Sequence, residues 1–249
     1  MQLETLKPID HFEKTYEIHF GQIDNRGVAR PSAVFELAQD AATVHAYHIG
    51  IGREDISALW VLSRMKTELA RPLLPYEKLT VQTWCAGIKG ASWLRSFRFL
   101  VEGEPVGAAI SSWVVLDQET HRIIRPTAIA QAEKYLALTP SAAMIPGKLA
   151  CAALREHHIH PVCYSDLDVN NHVNNVKIVD ILSDGLDLNL GGQFVSALQV
   201  NYTAESRFGD RLRVLTGEED GVRYVFGEAD GKTRFEGAAI LSPMPEYNP

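Results

Sequence analysis

The chain has 249 residues, enough for one large domain or two of ordinary size. With 46% hydrophobic and 22% charged residues it can bury a sizeable core, which excludes an intrinsically disordered chain. A formal net charge of −7 argues against nucleic acid as a partner.

The amino-terminal stretch MQLETLKPIDHFEKTYEI lacks the basic start and apolar run of a secretory signal. No apolar run of about 18 residues occurs, so no membrane span is expected. Cys85, Cys151 and Cys163 are odd in number and far apart, with no CxxC spacing. That excludes a disulfide framework and a cysteine zinc site, predicts no metal or other cofactor, and fits a reducing, cytoplasmic setting.

Along the chain, TYEIHFGQID (15–24) alternates as a half-buried strand does, and the turn-rich NRGVARPS follows. A helix is predicted from Ala33 to Ile49, capped by Ser32, with Val34, Leu37, Ala38, Ala41 and Val44 at helical spacing. Residues 60–70, 78–88, 92–101 and 107–117 then read as strands, rich in β-branched and aromatic side chains and separated by Pro, Gly and charge. Residues 126–152 are Ala- and Pro-rich and read as a linker with a short helix from Ala130 to Leu136.

The order then repeats. Residues 158–168 form a strand and turn, and a helix runs from Val176 to Leu186, capped by Asn174 or Asn175. Strands follow at 193–205, 210–219, 222–229 and 233–242. Two echoes accompany the repeat: PYEKLTV (75–81) with FGDRLRV (208–214), and GAAI at 107–110 with GAAI at 237–240. One strand, a buried helix and four strands is the order of a hot-dog domain, an antiparallel sheet wrapped around a long helix. The predicted architecture is α+β, a tandem (double) hot dog: residues 1–125, the linker, and residues 153–249.

Functional side chains are densest in YSDLDVNNHVNN (164–175), where a strand hands over to a helix. Asp168, Asn170 and His172 alternate, so an extended backbone projects all three to one side. A carboxylate, an amide and an imidazole so placed can orient water, hold a carbonyl and move a proton. The amides of the following helix can stabilise an oxyanion. An Asx-rich turn with no chemistry explains the same residues. The first repeat serves as an internal control: Asp24-Asn25-Arg26-Gly27-Val28 keeps the aspartate and lacks the Asn and His. The asymmetry suggests one active and one binding half. All four tryptophans (Trp60, Trp84, Trp93, Trp113) lie in the first half, and Trp60 opens its strand as a candidate pocket wall.

These residues resemble the acyl-acyl-carrier-protein thioesterases of plants and bacteria. The resemblance is carried by AQDAATVHAYHIG (38–50), WVLSR (60–64), the Arg71–Trp84 stretch, LDVNNHVNNVKIVDILSD (167–184) and VNYTAES (200–206). It implies hydrolysis of fatty acyl thioesters on acyl carrier protein. It further implies an active site in the C-terminal half and an acyl pocket shaped by the N-terminal half. Catalytic positions carry over onto Asp168, Asn170, His172 and Glu205, with Asp168 as nucleophile or holder of the attacking water. Trp60, Asn174 and Ser206 are the substrate-binding candidates. Plant members often carry a cysteine where this chain has Ser206, so a Cys–His scheme does not carry over. The acidic carrier protein calls for a basic surface, for which Arg64, Lys66, Arg71, Lys177, Arg207, Arg211 and Arg213 are available. An acyl-CoA thioesterase, a hot-dog dehydratase and a non-catalytic acyl-binding module remain as alternatives. A homodimer is compatible with the fold, though no particular residue argues for one.

Overall fold

A computed structural model describes residues 11–135, 141, 143–188 and 192–245. The amino-terminal segment read for signals and the Leu136 end of the linker helix lie largely or wholly outside the described residues.

Strand β1 (Phe12–Glu17) alternates half-buried and exposed residues. It ends earlier than the alternation predicts, and a 3-10 turn follows at Phe20–Gln22. The turn is closed by Gln22, whose amide donates to His19 C=O at 2.8 Å and whose Oε1 accepts from His19 N–H at 3.1 Å. Helix α1 (Pro31–His48) starts two residues before the expected Ala33. Ser32 therefore lies in its first turn, 2% exposed, and is not the cap. Proline supplies the start instead, because its fixed φ suits the first helical position and its missing amide needs no partner there. Val34, Leu37, Ala38 and Ala41 are buried as the spacing predicts. A single-turn helix, α2 (Arg53–Ile56), was not foreseen; Asp55 fixes it by accepting from the Gly52 amide at 2.8 Å.

Strands β2 (Ala58–Leu69), β3 (Lys78–Lys89), β4 (Ser92–Val101) and β5 (Glu104–Asp117) follow, then two 3-10 turns within 126–135. The second repeat holds β6 (Arg155–Pro161), a 3-10 turn at Tyr164–Asp166, α3 (Asn175–Asp184), β7 (Gln193–Tyr202), β8 (Arg211–Glu219), β9 (Val222–Ala229) and β10 (Lys232–Pro243).

Two compact units emerge. The first takes the chain up to Glu17, Glu36–Thr67 and Glu77–Pro146; the second takes Ile18–Phe35, Glu68–Tyr76 and the chain from Gly147. Within the first, the strands run β1-β3-β4-β5-β2; within the second, the same connectivity gives β6-β8-β9-β10-β7. Each is a hot-dog sheet with its helix. No helix among the described residues is long and apolar enough to cross a membrane.

In the second unit α3 buries Ile178, Val179, Ile181 and Leu182. The repeated glycine of GAAI has a physical reason at Gly237. A Cβ there would stand 2.0 Å from Leu182 Cδ1, so the bare backbone lets the helix seat on β10. Gly237→Ala should therefore cost about 1–3 kcal/mol through overpacking, read as a lowered denaturation midpoint at unchanged slope.

In the first unit a cationic group sits inside the core. Arg95 is 6% exposed and donates to Nδ1 of the buried His45 at 2.8 Å and to Thr83 Oγ1 at 3.3 Å. Burial, together with the positive charges of Arg95, His48 and His11, lowers the His45 pKa from 6.5 to about 3. The folded state thus holds His45 neutral while the unfolded chain takes up a proton below pH 6.5. The His45 contribution to stability is whole above pH 6.5 and declines as pH falls toward 3. Chemical denaturation across that window should show the stability gap between wild type and His45→Gln shrinking as pH falls.

Candidate active site

The segment that closes β6 and opens α3 folds around one carboxylate. Asp168 Oδ1 accepts from the amides of Asn170 at 2.8 Å and His172 at 3.2 Å. The backbone closes the loop with Asp168 N–H to His172 C=O at 2.8 Å and Asn171 N–H to Asp168 C=O at 3.1 Å. Asn171 takes φ +60°, a left-handed conformation that asparagine tolerates. The loop is a tight turn, not the extended stretch predicted, so Asp168, Asn170 and His172 do not project together by strand alternation. Asn170 Nδ2 does reach back to Asp168 Oδ2, at 3.3 Å.

His172 instead meets the catalytic candidate farthest from it in sequence. Its Nε2 lies 3.0 Å from Glu205 Oε2, with the His172 side chain 26% and the Glu205 side chain 61% exposed. A backbone bridge between His172 and Arg207 and a bond from Val173 N–H to Ser206 C=O at 2.8 Å bring the two segments together. Arg207 Nη2 reaches the same Glu205 oxygen at 3.5 Å.

The other candidates take different places. Asn174 is the helix cap: its Oδ1 accepts from the Val176 amide at 2.8 Å. Ser206 is 2% exposed, and its Oγ has no partner among the described residues. Trp60 lies in the first unit, its indole N–H donating to Ile51 C=O at 2.8 Å and its ring edge-on to Trp93. Asp166, part of the dense motif, serves the turn, accepting from Cys163 N–H at 2.8 Å and facing His160 at 3.0 Å. Among the basic residues considered for docking, Arg213 pairs with Glu156 at 2.8 Å and Lys177 with Asp180 at 3.4 Å. No group of three His, Cys, Asp or Glu among the described residues is disposed to hold a metal ion.

The first repeat builds the same loop. Asp24 Oδ1 accepts from Arg26 N–H at 2.8 Å and Val28 N–H at 3.4 Å, Asp24 N–H bonds Val28 C=O at 2.9 Å, and Gly27 takes the left-handed place of Asn171 with φ +79°. Ala29 N–H bonds Leu73 C=O at 2.8 Å, the counterpart of Val173 to Ser206. That register sets Val28 opposite His172, Leu73 opposite Ser206 and Pro72 opposite Glu205. Val28, Pro72 and Leu73 line a small cleft with Arg26, Phe194 and Val195, all within the second unit. The loss of the His–Glu pair from one repeat is therefore complete. Sequence comparison of the loops alone shows half of it; the Pro72 half was missed, although the PYEKLTV and FGDRLRV echo, read three residues further back, points to it.

The fold is a tandem hot dog, with an imidazole–carboxylate pair ahead of the helix in one repeat only. Residues 9–130 match the acyl-ACP thioesterase N-terminal domain and residues 151–236 the C-terminal domain of the same family, and the chain belongs to that family. It is 22% identical over 230 residues to oleoyl-acyl carrier protein thioesterase 2, chloroplastic, of Arabidopsis thaliana, matching 83% of this chain and 61% of that protein. It is 25% identical to the palmitoyl-acyl carrier protein thioesterase of Gossypium hirsutum, over 84% of this chain and 55% of the relative. This chain thus spans about six-tenths of the length of these curated relatives. An acyl-ACP thioesterase structure from Bacteroides thetaiotaomicron superposes with a TM-score of 0.85 at 22% identity, over 94% of this chain and 98% of that one. The 12:0-ACP thioesterase of Umbellularia californica gives 0.79 at 19% identity, over 96% and 100%.

Because both aspartates build their loops, Asp24→Ala and Asp168→Ala should each cost about 1–3 kcal/mol of stability through orphaned amides. Only the second should also disturb the His172–Glu205 contact, a comparison read by denaturation and by the His172 imidazole NMR signals on the same samples.

Proposed function

We propose that the protein hydrolyses fatty acyl thioesters of acyl carrier protein to free fatty acid and the carrier thiol. The single observation that carries the reading is the His172–Glu205 pair at 3.0 Å, present in one repeat and replaced by Val28 and Pro72 in the other. Membership of the acyl-ACP thioesterase family supports the substrate class. The catalytic centre lies in the C-terminal hot dog, and the N-terminal hot dog, with its aromatic cluster around Trp60 and Trp93, shapes the acyl pocket. The three cysteines are thiols, which fits a cytoplasmic setting.

With Nε2–H of His172 given to the Glu205 carboxylate, Nδ1 is left as the acceptor. It takes a proton from water as the oxygen attacks the thioester carbon, and Glu205 stabilises the imidazolium. The exposed Asn170 amide and the start of α3 face the oxyanion. The imidazolium then returns the proton to the departing thiolate. Asp168 holds the loop: Oδ1 is spent on two backbone amides and Oδ2 on Asn170. Its twin Asp24 does the same work where there is no histidine. The nucleophile is water, not the aspartate.

Thiol release from acyl carrier protein loaded with chains of different lengths tests the activity. His172→Ala and Glu205→Ala should each lose about 10²–10⁴-fold in kcat, the usual range for general acid–base work, while Ser206→Ala stays near wild type. Full activity in the first two would sink the scheme; a dead Ser206→Ala beside active partners would restore a hydroxyl nucleophile. Single turnover in ¹⁸O water should label only the fatty acid, and label in the Asp168 carboxylate would reassign the nucleophile.

A further inference from the structure

We propose that Arg234 is the positioning residue for Glu205: it sets the glutamate against His172 without touching the substrate. The inference rests on the thioesterase reading above. Glu205 needs such a device. Its side chain is 61% exposed, and an ion pair in that setting contributes little by itself. The segment carrying it leaves β7 at Tyr202 and runs to the turn 207–210 with no strand of its own.

Arg234 holds that segment at three points. Its carbonyl accepts from Thr203 N–H at 3.0 Å and Ala204 N–H at 3.2 Å. Its Nη1 donates to the carbonyl of Glu205 itself at 2.7 Å. The guanidinium also touches the far side of the same loop: Nη2 lies 4.0 Å from Asp210 Oδ2, the oxygen that accepts from Arg207 N–H at 2.9 Å. Arg207 in turn bridges to His172 and reaches the Glu205 carboxylate. The side chain thus bonds the Glu205 carbonyl directly before Ser206 and acts on the Arg207 amide after it through Asp210. The fork of a guanidinium suits this task, because a lysine ammonium is a point donor that cannot span a carbonyl and carboxylates in one plane. Asp230, at 3.5 Å from Nη2, balances the charge.

The anchor is a bulge. Arg234 lies on β10 between Thr233 and Phe235, where the pairing with β9 shifts register and just before Phe235 opens the pairing with β7, and its side chain is 15% exposed. A register argument supports the specific role. The hairpins close at Val101–Glu104 in the first repeat and at Ala229–Lys232 in the second, which sets Val106 opposite Arg234, in the same repeat in which Pro72 stands where Glu205 would be. Where there is no glutamate to hold, there is no arginine.

Misplacement of a reacting group by about 1 Å can cost about 10²-fold. Arg234→Met should therefore lower kcat for acyl-carrier-protein hydrolysis by about 10–100-fold with KM little changed, and Arg234→Lys should fall between. The discriminating measurement is a double-mutant cycle with Glu205→Gln. If Arg234 acts through Glu205, Arg234→Met adds almost nothing to the kcat loss in the Glu205→Gln background. An equal further loss there, or wild-type kcat in Arg234→Met, overturns the proposal. Arg234→Lys carries the same cycle if the methionine variant does not fold. A wild-type protein that releases no thiol overturns the thioesterase reading instead, a fully active Glu205→Gln overturns the role of Glu205, and either takes the positioning role with it.

Discussion

An aspartate carboxylate gathering two backbone amides is the constraint on which the rest depends. At Asp168, as at Asp24, one oxygen satisfies the amides two and four residues ahead and forces the chain to reverse between strand and helix. That reversal delivers the fourth residue after the aspartate to a fixed place beside the strand-exit segment, which the amide–carbonyl bonds of Val173 to Ser206 and Ala29 to Leu73 pin from the other side. Buried or half-buried amides seldom go without partners, so the loop is held in both repeats by the same need. Chemistry is an addition to this frame.

The two copies show how little separates a scaffold from a site. His172 and Glu205 face each other at 3.0 Å where Val28 and Pro72 line a small cleft. Leu73 is buried where Ser206 buries a hydroxyl without a partner among the described residues. The His172–Glu205 pair, partly exposed, gains too little from its own Coulomb attraction to fix its geometry. It depends on neighbours already ordered by β10 and by the loop.

Packing enforces the same economy elsewhere. Gly237 exists to let Leu182 approach the sheet, which seats α3 and so sets where the helix begins, at its Asn174 cap. In the first unit, the buried Arg95 is accommodated by a histidine kept neutral, so the positive charge of the guanidinium is met by an imidazole lone pair and a hydroxyl. Both arrangements are local solutions to one problem: a helix laid across a sheet leaves room for few shapes and fewer charges.

The sequence by itself determined the repeat of strand, helix and four strands, because hydrophobic period and turn residues are local signals. It determined the Asx-rich loop and its partial loss in the first half, because those residues are neighbours in the chain. It misjudged where β1 ends and what starts α1, since the His19–Gln22 turn and the proline start compete with simple alternation and with a serine cap. Only the tertiary structure decided which groups meet. Glu205 is thirty-three positions from His172, and nothing periodic in the chain joins them. The pairing arises when a strand-exit segment is hydrogen-bonded beside the loop. The same register exposes Pro72 as the counterpart of Glu205 and turns Asp168 from a free carboxylate into a fastened one. Distance along the chain hides such relations, and backbone bonds between remote segments create them.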